Sequence, residues 1–396
     1  MKKLIITILS AILLTGCTIK EQKKEISFWT LQMGDFAPYI NEVIAEYEKT
    51  NPEIKIKWID VPFSEGEKRT LAAVMTDCPP DLINLNPDFS AILAQKGTLE
   101  EIPAEKLNTF NTEVVDALKY NGKIYSIPWY ATSAITIYNK DLLNKAVIDC
   151  LPKTYQDIAD ISGIIRTKTN AYSFLPTITE NDTMVKILNK YGVSEPAEYN
   201  NAISIEVFNM FKNLYQKNLI PQETITMTHR EALEQYMAGK IVFYQGGANF
   251  LNMIKENAPK IYEQTDVAEQ IKGPVGQNDF SVMNFVIPSK AKHKNEALDF
   301  CLYLTNEENQ LKLAKLTNVI STNSNALKDE FYNDYSDLTA KARSISAKQI
   351  NRITPQLKQK QNQKEINLII NTAVQTILLG KEPADVALNK AVKNLK

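Results

Sequence analysis

Residues 25–59 read EISFWTLQMGDFAPYINEVIAEYEKTNPEIKIKWI and contain a strand pattern, a helix pattern and a second strand pattern, in that order. Glu25–Trp29 has the composition of a short strand, and Ile54–Ile59 alternates apolar and polar residues as a half-buried strand does. Asn51-Pro52 ends the helix pattern, because proline disfavours helical geometry in the residue before it. The apolar residues of that helix recur at the spacing of one helix face. They are Phe36, Ile40, Val43, Ile44 and Tyr47.

The same alternation continues on the C-terminal side of this segment. Lys68–Met75 predicts a second helix, and Asp81–Leu85 predicts a buried strand. Strand, helix, strand, helix, strand is typical of a parallel sheet covered by helices, so we predict an α/β fold. Further strand patterns, separated by helical ones, lie at Ala134–Tyr138, Ile241–Tyr244 and Phe280–Pro288.

Composition and charge are those of a soluble globular protein. The chain has 396 residues, with 45 Lys plus Arg against 46 Asp plus Glu and 44% hydrophobic residues. This length predicts two or more structural units, each with its own core. The nearly neutral net charge argues against a nucleic-acid-binding protein, which normally carries a basic face.

Few residues are available for metal or covalent chemistry. The chain has two His and four Cys, and it contains no GxxxxGK[ST], GxGxxG, GxSxG or HExxH motif. Both histidines, His229 and His293, are predicted to lie on the solvated surface. We therefore predict no metal, no cofactor and no enzyme activity. A secreted carbohydrate-active enzyme stays an alternative, because the carboxylate pair of a glycoside hydrolase needs no local motif.

The N-terminus has the pattern of an export signal. Two lysines precede the apolar run Leu4–Leu14, and small residues lead from there to Cys17. We predict a signal peptide over residues 1–16 and a polar tether over residues 17–25. The run is too short to be a transmembrane helix in the mature protein.

The end of the predicted signal peptide resembles the lipobox of bacterial lipoproteins. Leu14-Thr15-Gly16-Cys17 matches that motif, and the resemblance implies that Cys17 is acylated and anchors the protein to the membrane. More than one acyl chain is needed for stable anchoring. The alternative is a soluble secreted protein whose signal peptide happens to end before a cysteine.

Three further cysteines follow Cys17. One pair among Cys78, Cys150 and Cys301 could form a disulfide in an oxidising compartment, although the odd number and the wide spacing argue against a disulfide framework. Cys301 lies on the apolar stripe of a predicted helix, which predicts a buried thiol.

Segments that match one known family occur in a fixed order along most of the chain. The most specific are YNKDLL (138–143) and LPKTY (151–155). The others are ISFW (26–29), PDLI (80–83), NGKIYSIPW (121–129), MAGK (237–240) and VIST (319–322). With these segments the chain resembles the extracytoplasmic solute-binding proteins of ABC importers, in particular the branch that captures sugars and oligosaccharides.

The resemblance implies a two-lobed periplasmic-binding-protein fold, similar to type II, in which each lobe is a mainly parallel sheet with flanking helices. It places the N-lobe at residues 26–132 and 282–320, and the C-lobe at residues 136–278 and 325–396. Hinge crossings are then expected near residues 131–135, 279–283 and 319–325.

The resemblance also implies a function. A lipid-anchored, monomeric receptor on the extracytoplasmic side would capture a sugar between its lobes and deliver it to an ABC permease. The permease subunits would be separate chains, because this one has neither a transmembrane span nor a phosphate loop. A receptor for a polyamine or a metal ion stays an alternative, and no nucleic acid is expected as a partner.

Ten residues are candidate ligand contacts. In open α/β sheets, ligands bind beyond the carboxyl ends of the strands. Sugars need flat aromatic rings together with amide and carboxylate side chains. Residues of these types at the predicted strand ends and crossings are Trp29, Gln32, Asn86, Asp88, Trp129, Tyr130, Tyr244, Asn249, Phe250 and Asn284.

Several of these candidates also have a structural interpretation. Trp29 and Trp129 could be core rings that close a lobe. Asp88 could cap the helix that follows it, Asn249 could be a turn residue and Tyr244 could be a buried strand residue.

Overall fold

The computed structural model describes residues 23–178, 183–276, 278–350 and 363–395. The predicted signal peptide, Cys17 and the tether as far as residue 22 lie outside the described residues. The strands are β1 (Lys24–Leu31), β2 (Ile54–Val61), β3 (Leu82–Leu85), β4 (Ile127–Asn139), β5 (Tyr172–Phe174), β6 (Ile241–Gly247), β7 (Thr265–Glu269), β8 (Phe280–Val286) and β9 (Ile320–Ser321). The helices are α1 (Ala37–Thr50), α2 (Phe63–Val74), α3 (Pro87–Gln95), α4 (Thr112–Ala117), α5 (Lys140–Ala146), α6 (Tyr155–Thr169), α7 (Thr183–Lys190), α8 (Ala202–Gln216), α9 (His229–Met237), α10 (Phe250–Asn257), α11 (Pro259–Glu263), α12 (Lys294–Leu304), α13 (Glu307–Thr317), α14 (Leu338–Ile350), α15 (Gln363–Leu378) and α16 (Ala384–Asn394).

The first three strands and the two helices between them form as predicted. β1 pairs in parallel with both β2 and β3. β1 starts at Lys24, whose backbone N–H donates to Glu53 O at 2.8 Å, so the last two residues of the predicted tether belong to the sheet. α2 starts five residues before the predicted Lys68, directly after Pro62, with Glu65 in its first turn. An acidic side chain there is favourable at the positive end of the helix dipole.

A single long strand, β4, joins two sheets. Its N-terminal half, Ile127–Ser133, pairs with β8, and its C-terminal half, Ala134–Asn139, pairs with β6 and β7. The strand order is β2-β1-β3-β8-β4-β6-β5. We use "first lobe" for the elements around β1–β3 and β8, and "second lobe" for those around β5–β7.

Both sheets are mixed rather than mainly parallel. β1, β2 and β3 are mutually parallel, as are β5 and β6, but β8 is antiparallel to both β3 and β4. β4 is also antiparallel to β6 and β7. Strand patterns in a sequence do not specify pairing direction, which depends on how the connecting segments return.

Each lobe has its own hydrophobic core. In the first lobe, the Phe28 ring on β1 lies 5.7 Å from Phe285 on β8 and 5.5 Å from Phe300 on α12, in edge-to-face arrangements that aromatic pairs prefer. The second-lobe core is formed mainly by α6, α8, α15 and α16 under β5 and β6. The cores lie on opposite sides of the point where β4 changes partners.

The cysteines of the described chain are unpaired. Cys78 and Cys150 are exposed, and Cys301 is fully buried as predicted. Burial raises the pKa of the Cys301 thiol well above its ordinary value, because the apolar surroundings disfavour the thiolate. Among the described helices, none combines the length and the apolar content needed to cross a membrane.

Candidate functional site

The strand directions bring the carboxyl ends of the parallel strands of both lobes to one place. Because β8 is antiparallel to β3 and to β4, β4 runs in the same direction as β1–β3 and leaves the first lobe at their carboxyl ends. β6 is antiparallel to β4, and its last residue, Gly247, pairs with Ala134 at the crossing. The carboxyl ends of β5 and β6 therefore face those of β1–β3, which is the location where α/β sheets bind ligands.

A fixed carboxylate lies on the first-lobe side of this cleft. Asp60, near the end of β2, is exposed, and its Oδ1 accepts hydrogen bonds from Thr30 Oγ1 (2.7 Å) and from the backbone N–H of Met33 (2.9 Å). The Trp58 indole N–H donates to Thr30 Oγ1 at 2.8 Å. This chain of hydrogen bonds orients Asp60 toward the loop that follows β1. In that loop Gln32 has a φ of 51°, which is uncommon for a residue other than glycine.

A cluster of three rings lies on the second-lobe side. Tyr244 Oη and His229 Nε2 are 2.7 Å apart, and the His229 ring centroid lies 4.9 Å from that of Tyr244 and 5.5 Å from that of Phe250. Phe250, the first residue of α10, meets Tyr244 edge to face. A Cβ on Gly246 would lie 2.5 Å from the Tyr244 ring and 3.0 Å from the Phe250 ring, so only glycine permits this packing.

His229 lies in a different environment from the predicted one. It was expected on the solvated surface, but it is half-buried against two rings and hydrogen-bonded. Thr228 caps α9, and Glu231 completes a capping box, which fixes the first turn and the His229 backbone with it. Asp60 was also not among the predicted ligand contacts, although its position near the end of a strand is one where ligands bind.

Acidification is expected to weaken the fold through His229. Burial, together with the Lys186 ammonium group, lowers the pKa of His229 from its ordinary value of 6.5. The folded state therefore favours the neutral ring, and this stabilisation is complete above pH 6.5 and is lost as the pH falls below it. In urea unfolding at a series of pH values, the His229→Gln variant should lose less unfolding free energy below pH 6.5 than the wild type. Identical pH profiles for the His229→Gln variant and the wild type would contradict the expectation.

Six of the ten predicted site residues have accessible side chains. Gln32, Asp88 and Asn249 are exposed, and the other three are half-buried. The half-buried residues are Trp29, Asn86 and Phe250. These side chains stay candidates for contact with a ligand.

Some of these six side chains already make contacts within the protein. The Asn86 side chain caps α3 by accepting from Phe89 N at 2.8 Å, so Asn86, not Asp88, is the helix cap. The Trp29 ring lies against α2, with the Arg69 guanidinium 5.7 Å from its centroid. Asn249 directly precedes α10, but its side chain makes no capping hydrogen bond.

The other four predicted residues are buried, so in this conformation their side chains do not form the surface of the cleft. Trp129 and Asn284 have no exposed surface, and Tyr244 and Tyr130 are 3% and 8% exposed. Trp129 belongs to the first-lobe core, with its ring centroid 4.7 Å from Phe285. The reason is that β4, β6 and β8 are internal strands with helices over their faces, so their large side chains point into cores.

Asn284 and Tyr130 are held by neighbours within the first lobe. The side-chain Nδ2 of Asn284 donates to Ser90 Oγ at 2.7 Å, and the backbone carbonyl of Asn284 accepts from Asn84 Nδ2. Tyr130 Oη contacts Met33 Sδ at 3.8 Å beneath the loop after β1. Tyr130 and Tyr244 therefore support residues of the cleft surface from below.

An ion pair between described residues of α2 and α15 connects the lobes away from β4. The Lys364 ammonium, in the first turn of α15, contacts a carboxylate oxygen of Glu67 on α2. Both side chains are partly exposed, so the pair contributes little to the free energy of unfolding. Within the described residues, no group of three or more His, Cys, Asp or Glu side chains could hold a metal ion.

The sequence matches a known family over most of its length. A profile of the bacterial extracellular solute-binding protein family matches residues 32–311, more than two thirds of the chain. The multiple sugar-binding protein of Streptococcus mutans is 24% identical over 332 residues, which cover 75% of this chain and 76% of that protein. The diacetylchitobiose binding protein of Streptomyces coelicolor is 22% identical over 390 residues, covering 91% and 87%.

Solved structures have the same architecture. A periplasmic-binding protein from Synechococcus, to which an oligosaccharide ligand has been ascribed, superposes with a TM-score of 0.85 at 28% identity and covers 93% of this chain and 97% of its own. The GacH receptor of Streptomyces glaucescens superposes with a TM-score of 0.79 at 17% identity, covering 94% and 97%. The two-lobed α/β fold predicted from the sequence is confirmed, and the chain belongs to the bacterial extracellular solute-binding protein family.

Proposed function

We propose that this protein is the extracytoplasmic receptor of an ABC importer, that it captures a sugar or oligosaccharide between its two lobes, and that it delivers the sugar to a membrane permease. The proposal rests chiefly on one observation: the carboxyl ends of the strands of both lobes meet, with a fixed carboxylate beside those of the first lobe and an aromatic cluster beside those of the second. The names of the relatives that bind sugars support the same class of solute.

The two sides of the cleft complement the two kinds of surface that a sugar presents. Phe250 and His229 offer ring surface to the apolar C–H face of a pyranose. Asp60, Gln32 and Asn249 offer carboxylate and amide groups to its hydroxyls. A solute that touches both sets stabilises the closed arrangement of the lobes by its differential affinity for that state.

The lobe boundaries and hinges given in the sequence analysis are part of this proposal. β4 changes sheet between Ser133 and Ala134, within the first expected crossing. β8 begins at Phe280, and β9 at Ile320, in the segments expected for the other two. We also propose that the protein acts as a monomer and not as an enzyme.

The membrane attachment belongs to the same proposal. An acylated Cys17 would hold the receptor near its permease, with the polar tether between the lipid and the folded body. Loss of incorporated palmitate on substitution of Cys17→Ser would support this anchor, and unchanged incorporation would contradict it.

A thermal-shift screen tests the proposed solute class. Maltotriose, diacetylchitobiose and other oligosaccharides are compared with spermidine and Zn²⁺, each added to the purified protein. A sugar that binds only the folded state should raise the melting temperature, since a concentration of 100 times Kd adds about 2.7 kcal/mol to the free energy of unfolding. For a sugar that gives a shift, the Phe250→Ala variant should bind roughly tenfold more weakly by calorimetry, because it loses ring stacking.

A control variant and two alternative outcomes show whether the solute is a sugar. A Leu379→Ala variant removes an exposed apolar side chain of the second lobe, distant in sequence from Phe250, and should bind like the wild type. A shift with spermidine or Zn²⁺ but with no sugar would replace the carbohydrate assignment by one of the alternatives. Release of shorter sugars during the incubation would show an enzyme.

A further inference from the structure

The point where β4 passes between the lobes is surrounded by buried polar side chains. Gln270, at the start of the β7–β8 connection, is 2% exposed, and Gln349 on α14 is 3% exposed. Ser133 on β4 and Lys190 at the end of α7 are 2% and 1% exposed. Buried amides and charges cost free energy unless they are hydrogen-bonded, so a cluster of this kind at the crossing requires an explanation.

Two glutamine side chains hold the backbone of β4 at the crossing. Gln349 Nε2 donates to Ser133 Oγ (3.1 Å) and to Ala134 O (2.9 Å). Gln270 Nε2 donates to Ala134 O (3.2 Å) and to Asp279 O (3.1 Å). The backbone N–H of Gln270 donates to Gln349 Oε1 at 3.0 Å, which links the Gln349 side chain to the backbone of the β7–β8 connection.

The same cluster holds the second crossing, the segment between β7 and β8. Lys190 Nζ lies 2.7 Å from Asp279 Oδ2 and donates to Ile271 O at 2.6 Å. The Asp279 N–H donates to Gln270 Oε1 at 2.5 Å. A Cβ on Gly273 would lie 2.1 Å from Lys190 O, so the crossing segment packs directly on the end of α7. Both ends of this segment are thus fixed to the second lobe.

A separate polar cluster holds β4 on the first-lobe side. Gln310 Oε1 accepts from the backbone N–H groups of Thr322 (2.7 Å) and Asn323 (3.1 Å). Thr322 Oγ1 donates to Trp129 O at 3.0 Å. β4 is therefore held by the first-lobe cluster at Trp129 and by the glutamine cluster at Ser133 and Ala134.

We propose that Gln349 and Gln270 are positioning residues that hold β4 and the β7–β8 connection in one arrangement at the crossing and thereby set the populations of open and closed lobes. This inference rests on the proposed function, in which the lobes close on a solute. Apparent affinity depends on the fraction of molecules that can adopt the closed state. These two residues would therefore change affinity without touching the solute.

Two native cysteines allow the lobe arrangement to be measured directly. Cys78 is exposed in the first lobe and Cys150 is exposed in the second, while Cys301 is fully buried. With Cys17→Ser as background, spin labels on Cys78 and Cys150 report the distance between the lobes by pulsed electron paramagnetic resonance. No solute is added, so the result does not depend on having found the right sugar.

The Gln349→Ala variant is expected to broaden the distance distribution about twofold, because Ser133 and Ala134 lose two hydrogen bonds that fix the crossing of β4 to α14. Ser133→Ala removes a smaller group from the same cluster and should broaden the distribution to a lesser degree. The matched control is Gln375→Ala, which removes a glutamine that donates to Ile225 O at 2.9 Å within the second lobe. Its distribution should equal that of the wild type.

The outcomes separate this inference from a purely structural role and from the proposed function. If Gln349→Ala and Gln375→Ala lower the melting temperature similarly but leave the distances unchanged, Gln349 only stabilises the fold and the inference is wrong. If Gln349→Ala does not fold, the Ser133→Ala distances decide by the same criterion. Failure of every sugar in the thermal-shift screen would remove the proposed function and leave the distance result intact.

Discussion

Replacing Trp129 with alanine is expected to lower the free energy of unfolding by about 4 kcal/mol. The indole has no exposed surface, and its ring centroid lies 4.7 Å from that of Phe285 and 6.1 Å from that of Phe36. Truncation removes these contacts and leaves a cavity that the surrounding rings can fill only in part. Urea unfolding followed by far-UV circular dichroism measures the change.

Trp29 provides the matched control, because it is a second tryptophan of the same lobe that is only half-buried. The Trp29→Ala variant should lose about 1–2 kcal/mol of unfolding free energy. If Trp129→Ala keeps the wild-type unfolding free energy while sugar binding disappears, the ring lines an accessible pocket and its placement in the core is wrong. Comparable losses for the two variants would equally contradict the contrast between core and cleft positions.

Replacing Lys190 with methionine is expected to lower the free energy of unfolding by about 3 kcal/mol. The substitution removes the ammonium group that pairs with Asp279 at 2.7 Å and leaves that carboxylate, whose side chain is 20% exposed, without its cation. Methionine nearly matches the length of the lysine stem, so the loss reports the missing charge and hydrogen bonds rather than a cavity. The same urea titration measures it.

Two further variants identify the cause of that loss. Lys312→Met removes a lysine that pairs with Glu42 and Glu46 at 3.1 Å near the surface, and should cost less than about 1 kcal/mol. Adding Asp279→Asn to Lys190→Met removes the unpaired charge and should recover part of the stability. A loss no larger for Lys190→Met than for Lys312→Met would show that the buried pair contributes little.

The fold could be predicted from local patterns because its first five elements are strongly periodic. The β1 and β2 strands and α1 appear within a few residues of their predicted positions, since alternation and the 3.6-residue spacing report which side of an element is buried. The antiparallel direction of β8 between β3 and β4 was not predictable in this way. Pairing direction depends on contacts between segments that are far apart in sequence.

The site was only partly predictable. The rule that ligands bind beyond the carboxyl ends of strands selected residues that are accessible, such as Gln32 and Asn249. It cannot tell on which side of a strand a ring such as Trp129 points. His229 was missed because its partner Tyr244 lies fifteen residues further along the chain, on a different element. Capping signals next to His229 indicated only the start of α9.

The continuous strand β4 also determines how this protein can be divided. Each sheet uses one half of the same thirteen residues, so a fragment that contains a single lobe would either lack an internal strand or carry an unpaired extension of it. An open strand edge of that kind recruits other chains and favours aggregation. Expression of separate halves should therefore yield insoluble material, whereas coexpressed halves that are split at the exposed loop near Cys150 could reassemble through intact β4.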